Sequence, residues 1–179
     1  KICAASEDSA IRKNGGKIIE NLEPGVIYYL NHDGAYRKGR IERTEKRAHC
    51  MFEFQYVSDE DSTQDDISAR VHRRLLGEQL AEEFFPEDIE LVTFAPRCAE
   101  IAARAYAEKR NLPFFPIFYK LNAERSFLGS TTKDREGSIN ENLFLVPESD
   151  EIIGGRTVLV IDDSIIRGNV LKRMKSLLY

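Results

Sequence analysis

The chain has no run approaching the ~18 consecutive apolar residues that a membrane-spanning helix needs, so nothing in it reads as a helical span. It carries no secretory signal, and it begins at Lys1 instead of a methionine, as a fragment or a renumbered chain would. Its three cysteines, Cys3, Cys50 and Cys98, are odd in number and far apart. That spacing excludes a disulfide framework and leaves cytosolic thiols or isolated metal ligands. There is no excess of positive charge: the net charge of −4 argues against a nucleic-acid partner. No internal repeat or low-complexity tract appears. What remains is the composition of a soluble globular protein, 42% hydrophobic and 31% charged over 179 residues, enough for one domain or for one plus a fragment of another.

Two textures divide it. Residues 1–49 read as antiparallel. Lys1–Ala5 is a candidate strand and Ser6-Glu-Asp opens a short helix. Lys17–Glu20 and Val26–Leu30 are strand-like on either side of Pro24-Gly25. Asn31–Gly34 is a turn, and a polar strand follows from Ala35 to about Arg43. Some fifty residues of this kind could not bury an adequate core alone. From His49 the pattern becomes α/β. Cys50–Val57 alternates as a strand would, and Ser58–Asp66 is an acidic loop. Ser68–Phe85 is an amphipathic helix with Val71, Leu75, Leu76, Leu80, Ala81 and Phe84 as its apolar stripe. A buried strand at Ile89–Phe94, a turn at Ala95–Arg97, an alanine-rich helix at Ala99–Lys109 and a strand at Phe114–Tyr119 follow. Glu124–Asn142 is polar and contains glycine, as expected of a long mobile loop with a functional role.

The stretch that organises the rest is Thr157–Asn169. Val158–Ile161 reads as a strand buried on both faces, hence a parallel sheet. It runs into Asp162 and Asp163, then a short loop from Ser164 to Gly168. A helix follows with Asn169 as its N-cap and Val170, Leu171, Met174, Leu177 and Leu178 as its apolar face. Strand, loop and helix N-terminus in that order present backbone N–H groups and a dipole to a phosphate, and Gly168 permits close backbone approach. Paired carboxylates beside such a site suit ribose hydroxyls, or a Mg2+ that bridges to substrate phosphates. An ordinary strand end with two solvated aspartates is the other reading of the same residues.

Asp162-Asp163-Ser164-Ile165-Ile166-Arg167-Gly168 resembles the PRPP-binding motif of type I phosphoribosyltransferases, in the form found in the amidophosphoribosyltransferase family. Further segments are similar to that family. Ala4–Glu7 and Leu22–Ile27 look like the tail of its glutaminase domain, and Cys50–Tyr56 like the opening of its transferase half. Leu75–Glu82, Ala103–Ala107, Asn111–Pro113, Lys120, Arg125–Phe127 and Arg135-Glu136 follow its later segments. The resemblance implies a fold and a domain organisation. Residues 50–179 would be a type I phosphoribosyltransferase-like parallel sheet flanked by helices, incomplete at its C-terminus. Residues 1–49 would be the antiparallel C-terminal part of an N-terminal-nucleophile glutaminase domain whose nucleophile lies outside this chain.

It also implies an activity. Ammonia from glutamine attacks C1 of PRPP to give 5-phosphoribosylamine and pyrophosphate, the first step of de novo purine synthesis. Lys120 and Arg125 would offset leaving-group charge. Asp162, Asp163, Ser164, Ile165, Ile166, Arg167, Gly168 and Asn169 would bind PRPP. Asp162 and Asp163 would hold Mg2+, with Cys98 at a further metal-facing position, and Cys50 falls where some members ligate a 4Fe-4S cluster. Purine nucleotides as inhibitors, a homo-oligomer and a cytoplasmic location, with no membrane or nucleic-acid partner, complete the expectation.

Several positions depart from the family. Arg97-Cys98 replaces an acid and a hydroxyl, Leu121 replaces an asparagine, Asn142 falls where a lysine is expected, and Asn169-Val170 replaces a threonine pair. Sulfur is a poor ligand for a hard ion such as Mg2+. For Cys50, a thiol packed beneath the first strand is the alternative. For the whole, the alternative is a degenerate paralogue that binds PRPP or a nucleotide as a regulatory or scaffolding module.

Overall fold

The computed structural model describes residues 2–31, 33–34, 36–40, 48–121 and 142–179. Arg125 and all of the expected mobile loop except Asn142 lie outside the described residues. The chain divides into two compact units, Lys1–His72 and Arg73–Tyr179.

The first unit holds α1 (Asp8–Lys13), a hairpin of β1 (Val26–Leu30) and β2 (Tyr36–Arg40), and the two-residue strands β3 (Thr63–Gln64) and β4 (Ile67–Ser68). In the hairpin Val26 faces Arg40 and Leu30 faces Tyr36. Polar contacts help to hold the unit. The Glu7 carboxylate accepts the Asp59 N–H (2.8 Å) and the Ser62 hydroxyl (2.6 Å), and Asp8 accepts the Thr63 N–H (2.8 Å). The expected strands at Lys1–Ala5 and Lys17–Glu20 are irregular where described, and the Ile18–Ile19 pair is exposed, burying nothing that would hold a ladder.

Cys50–Val57 is also not a strand, for its core is a π-helical turn at Glu53–Val57. Its period-2 pattern misleads because residues 52 and 56 are also neighbours on a helix. Phe52 stacks on Tyr56 with ring centroids 5.1 Å apart, and Phe54 is buried against His49 and His72. Cys50 is exposed, which corrects the reading of it as a thiol buried beneath a strand.

Helix α2 (Ala69–Glu83) forms as expected, and Leu80 and Ala81 of the expected stripe pack in the core, but the buried face is shifted from the rest of it. Val71, Leu75 and Phe84 of the expected stripe are about half exposed, while Ala69, Arg73, Gly77 and Ala81, spaced four apart, are buried. The column is made of small residues and one arginine because α2 approaches α3 (Glu100–Arg110) backbone to backbone. A Cβ built on Gly77 would lie 2.1 Å from the Ala102 carbonyl oxygen. Hydropathy alone cannot find such a face, since what it needs is the absence of side chain.

In the second unit β5 (Leu91–Phe94) and β8 (Val158–Ile161) pair in parallel, Leu91 with Val158 through Phe94 with Ile161, and Phe114 adds a parallel bridge at Val92. Helices cover both faces of this sheet. On one side Val92, Phe94 and Ile161 pack with Ala99, Ala103, Tyr106 and Ala107 of the α3 region. On the other Ile117, Phe118, Leu143 and Met174 pack with Val158, Val160, Val170 and Leu171. All four residues of β5 are buried, as a central parallel strand requires. In β8 Ile161 is buried and the other three are half-buried.

The expected strand at Phe114–Tyr119 breaks in two. Pro116 has no N–H to donate, so the chain leaves the parallel sheet and resumes as β6 (Phe118–Lys120), antiparallel to β7 (Leu143–Leu145). Asn142 lies at the foot of this ladder, 7% exposed, its carbonyl accepting the Leu121 N–H at 3.1 Å. It is therefore not a solvent-facing loop residue. A short α4 (Ser149–Ile153) then leads to β8, and α5 (Asn169–Leu178) closes the unit with the expected apolar face packed on the sheet. No described helix is long and apolar enough to cross a membrane.

Candidate active site

The β5–β8 register brings two chain segments to one edge. The last ladder bond runs from the Ala95 N–H to the Ile161 carbonyl (2.8 Å). Beyond it, both strands end at the same level. The turn Ala95–Ala99 leaves β5 beside the Asp162–Gly168 loop leaving β8. This carboxyl edge is where an open α/β sheet exposes its loops to ligands.

Asp162 and Asp163 sit there half-buried. The Asp163 N–H donates to Asp162 Oδ1 (2.9 Å), and the Ser164 hydroxyl donates to Asp163 Oδ1 (2.9 Å). Burial, then the negative charge of Asp163, pushes Asp162 up to about 6. Burial also raises Asp163, opposed by the Ser164 hydroxyl, by the charges of Lys120 and Arg73, and by a hydrogen bond from the Cys98 thiol. The ordinary strand end with solvated aspartates does not have this character. Two carboxylates held out of water beside each other fit a hard divalent cation or the hydroxyls of a sugar.

Lys120, at the end of β6, faces this pair. Burial pushes its ammonium down, while Asp162, Asp163 and Cys98 pull it up and Arg97 opposes them. Cys98 lies in the β5–α3 turn, partly exposed, within reach of Asp163. Arg73 was not legible as a site residue. It comes from α2, is 4% exposed, and puts its charge on Asp163. In the sequence it is one arginine beside Arg70 and Arg74, and only the fourfold buried column of α2 distinguishes it.

On the far side of the carboxylates the loop Ser164–Gly168 leads into α5. Gly168 has φ 69°, and a Cβ there would meet nothing within 4 Å. Its left-handed backbone is thus the reason for glycine, and not crowding. Gly168 occupies the cap position, which makes Asn169 the first residue of α5 and corrects its reading as the N-cap. The Gly168 carbonyl accepts the Lys172 N–H (2.9 Å), so the first-turn N–H groups of a ten-residue helix open toward the loop. Ile165 and Ile166, 72% and 80% exposed, stand at the loop's tip, and Arg167 is exposed beside them.

The fold and the sequence have relatives among known proteins. No family model matches the chain. A solved glutamine PRPP amidotransferase from B. subtilis, complexed with ADP and GMP, superposes with a TM-score of 0.77 at 30% identity, over 97% of this chain and 37% of that one. A second structure, described as the allosteric regulatory enzyme of purine biosynthesis, gives 0.78, also at 30% identity. The fold is that of the type I phosphoribosyltransferases. The likeness in sequence is as broad. An amidophosphoribosyltransferase of Archaeoglobus fulgidus is 34% identical over 94% of the chain, and that of Bacillus subtilis 30% identical over 97%. Along this shared segment the chain is similar to the amidophosphoribosyltransferases over nearly its whole length. It spans 36% of the length of each of these two relatives.

Proposed function

We propose that this chain is the PRPP-binding part of a glutamine-dependent amidophosphoribosyltransferase, in which ammonia displaces pyrophosphate from C1 of PRPP to give 5-phosphoribosylamine, the first step of purine synthesis. The observation that carries the reading is the desolvated Asp162–Asp163 pair between Lys120 on one side and a glycine-opened helix N-terminus on the other. PRPP has matching chemistry in that order: a diphosphate, a ribose with two free hydroxyls, and a 5′-phosphate.

In this reading Ser164–Asn169 hold the 5′-phosphate through backbone N–H groups, and Asp162 and Asp163 accept from the ribose hydroxyls. Lys120 neutralises charge developing on the leaving pyrophosphate, with Arg125 as a second cation there. Ile165 and Ile166 at the loop tip would shield the reacting carbon from water. The Asp162–Asp163 donor set fits Mg2+, which when bound would screen the diphosphate and polarise the leaving group. A 4Fe-4S cluster needs four thiolates, and three cysteines in the whole chain cannot supply them. Cys50 could at most contribute one ligand, and no step depends on it.

Residues 1–49 are read as the end of the glutaminase domain and 50–179 as the transferase domain. The whole protein would take PRPP and glutamine, answer to purine nucleotides, and work as a cytoplasmic homo-oligomer. Isothermal calorimetry on the full-length protein should show PRPP binding that requires Mg2+, and glutamine should drive pyrophosphate release. No PRPP binding in the presence of Mg2+ would refute the reading.

One observation favours the alternative, a paralogue that binds PRPP or a nucleotide without transfer: a thiol, hydrogen-bonded to Asp163, stands in the metal-facing turn. Cys98→Ser puts a hard oxygen there that can still donate to Asp163. Mg2+-dependent PRPP affinity should tighten several-fold, on the order of 1 kcal/mol for one improved contact. A destabilised variant with an unaltered metal response would remove Cys98 from the metal's surroundings.

A further inference from the structure

A charge taken out of water is costly unless an opposite charge or hydrogen bonds meet it. Arg12, Arg70, Arg74 and Arg104 hold their carboxylates at the surface, with side chains about half exposed. Arg73 is different. It is 4% exposed, on the column of α2 whose other buried members are Ala69, Gly77 and Ala81. Close packing on α3 alone would select one more small residue at that position, so the arginine needs another reason.

The register of the two helices locates it. Gly77 lies against the backbone of Ala102, the Tyr106 hydroxyl donates to the Phe84 carbonyl (2.7 Å), and Lys109 pairs with Glu82. Later residues of α2 thus meet later residues of α3, and the helices run side by side in the same direction. Four residues before Gly77 stands Arg73, and four before Ala102 stands Cys98. The chain is already helical close to that point, since the Ala103 N–H donates to the Ala99 carbonyl (2.9 Å). One turn back along both helices therefore sets Arg73 level with Cys98, whose thiol hydrogen-bonds Asp163. The charges agree with this placement: Lys120, from β6, acts on both carboxylates, and Arg73, from α2, acts on Asp163.

We propose that Arg73 is a positioning residue of this site, a buried cation that holds the Asp163 carboxylate in place from the protein interior so that it meets ligand hydroxyls already oriented. The proposal rests on the reading of Asp162 and Asp163 as acceptors for the ribose hydroxyls of PRPP. A carboxylate ordered in advance by a buried partner binds more tightly, because less has to be ordered when the ligand arrives. Arg73 acts through Asp163 and need not touch the ligand itself.

Calorimetry on the full-length protein tests it with two probes: ribose 5-phosphate, which uses the carboxylates, and inorganic phosphate, which uses the α5 N-terminus. Arg73→Met removes the charge and keeps an unbranched side chain. It should weaken ribose 5-phosphate binding about tenfold, within the range for coupled neighbours. Arg73→Lys should restore part of the loss, and inorganic phosphate affinity should stay within about twofold in both variants. In an Asp163→Asn background Arg73→Met should cost less than about twofold, since the group it acts through is gone. Equal losses with and without Asp163 overturn the assignment. So does an Arg73→Met protein that binds ribose 5-phosphate as tightly as the wild type, and that result leaves the PRPP reading standing. Should Arg73→Met alone not fold, the paired variant Arg73→Met with Asp163→Asn leaves no orphaned charge and should fold and match Asp163→Asn in ribose 5-phosphate affinity. A paired variant that is also unfolded, or that binds more weakly, overturns the proposal. A wild-type protein that binds neither probe overturns the PRPP reading with it.

Discussion

Replacing Asp162 and Asp163 together by asparagine should abolish PRPP binding and at the same time stabilise the metal-free protein. The loss follows from the role proposed for the pair. Two carboxylates accepting hydroxyl hydrogen bonds or holding a cation contribute about 1.5–3 kcal/mol each, so affinity should fall roughly a hundredfold or more. The gain follows from where Asp162 sits. Its folded-state value of about 6 lies above its ordinary 3.8, because burial and then Asp163 disfavour the charge. A carboxyl raised in the folded state is protonated there while still ionised in the unfolded chain. Its presence therefore begins to cost stability as pH rises past about 4, and the cost is complete above about 6.

The charges that face it, Asp163 and Lys120, act in opposite senses, and Arg73 and Cys98 act through Asp163. Allowing for its partial exposure, Asp162→Asn alone should add on the order of 1–2 kcal/mol at pH 7.5 in EDTA, a gain that vanishes below about pH 4. Urea unfolding at the two pH values reads it. A double variant with lowered stability at pH 7.5, or with unaltered PRPP affinity, would contradict the assignment.

The second large effect is expected far from the chemistry. Gly77→Ala should destabilise the second unit severely. The added Cβ would lie 2.1 Å from the Ala102 oxygen, 2.7 Å from its carbonyl carbon and 2.8 Å from its Cα, all backbone atoms of α3 that cannot swing aside. Alanine gains ~1 kcal/mol over glycine in helix propensity, but overpacking against rigid backbone reaches ~3 kcal/mol or more. The net loss should be at least about 2 kcal/mol, seen as a lowered urea midpoint. PRPP affinity should fall with it, since Arg73 stands one turn earlier on the same buried column of α2 and faces Asp163. Equal stability of variant and wild type would mean that α2 and α3 are not in backbone contact.

The two predictions divide between what sequence shows and what it hides. Thr157–Asn169 was legible because its signals are local: four apolar residues in a row, two carboxylates, a glycine and an amphipathic decapeptide. The strand, the loop, the helix and its buried face all follow from that order. Where local signals compete, the tertiary structure chose. Cys50–Val57 alternates like a strand, yet Phe52–Tyr56 stacking and the burial of Phe54 make it helical. Val71 and Leu75 of the α2 stripe are half exposed, because proximity to α3 rewards the small residues. Asn169 is a good cap by type, but Gly168 reaches the left-handed backbone at lower cost and takes the position.

By itself the sequence determined the strand, the loop and the helix of Thr157–Asn169, the order of the groups along them and the likeness to the amidophosphoribosyltransferases. The parallel register of β5 and β8 decided which distant residues join it. That register sets the turn carrying Arg97 and Cys98 level with Asp162, while β6 delivers Lys120 and α2 delivers Arg73 from about ninety residues away. It also decided the state of the carboxylates. Two adjacent aspartates are anionic in any unfolded chain, and their withdrawal from water in the folded unit, with the charge of Asp163 beside it, makes Asp162 hold its proton to about pH 6.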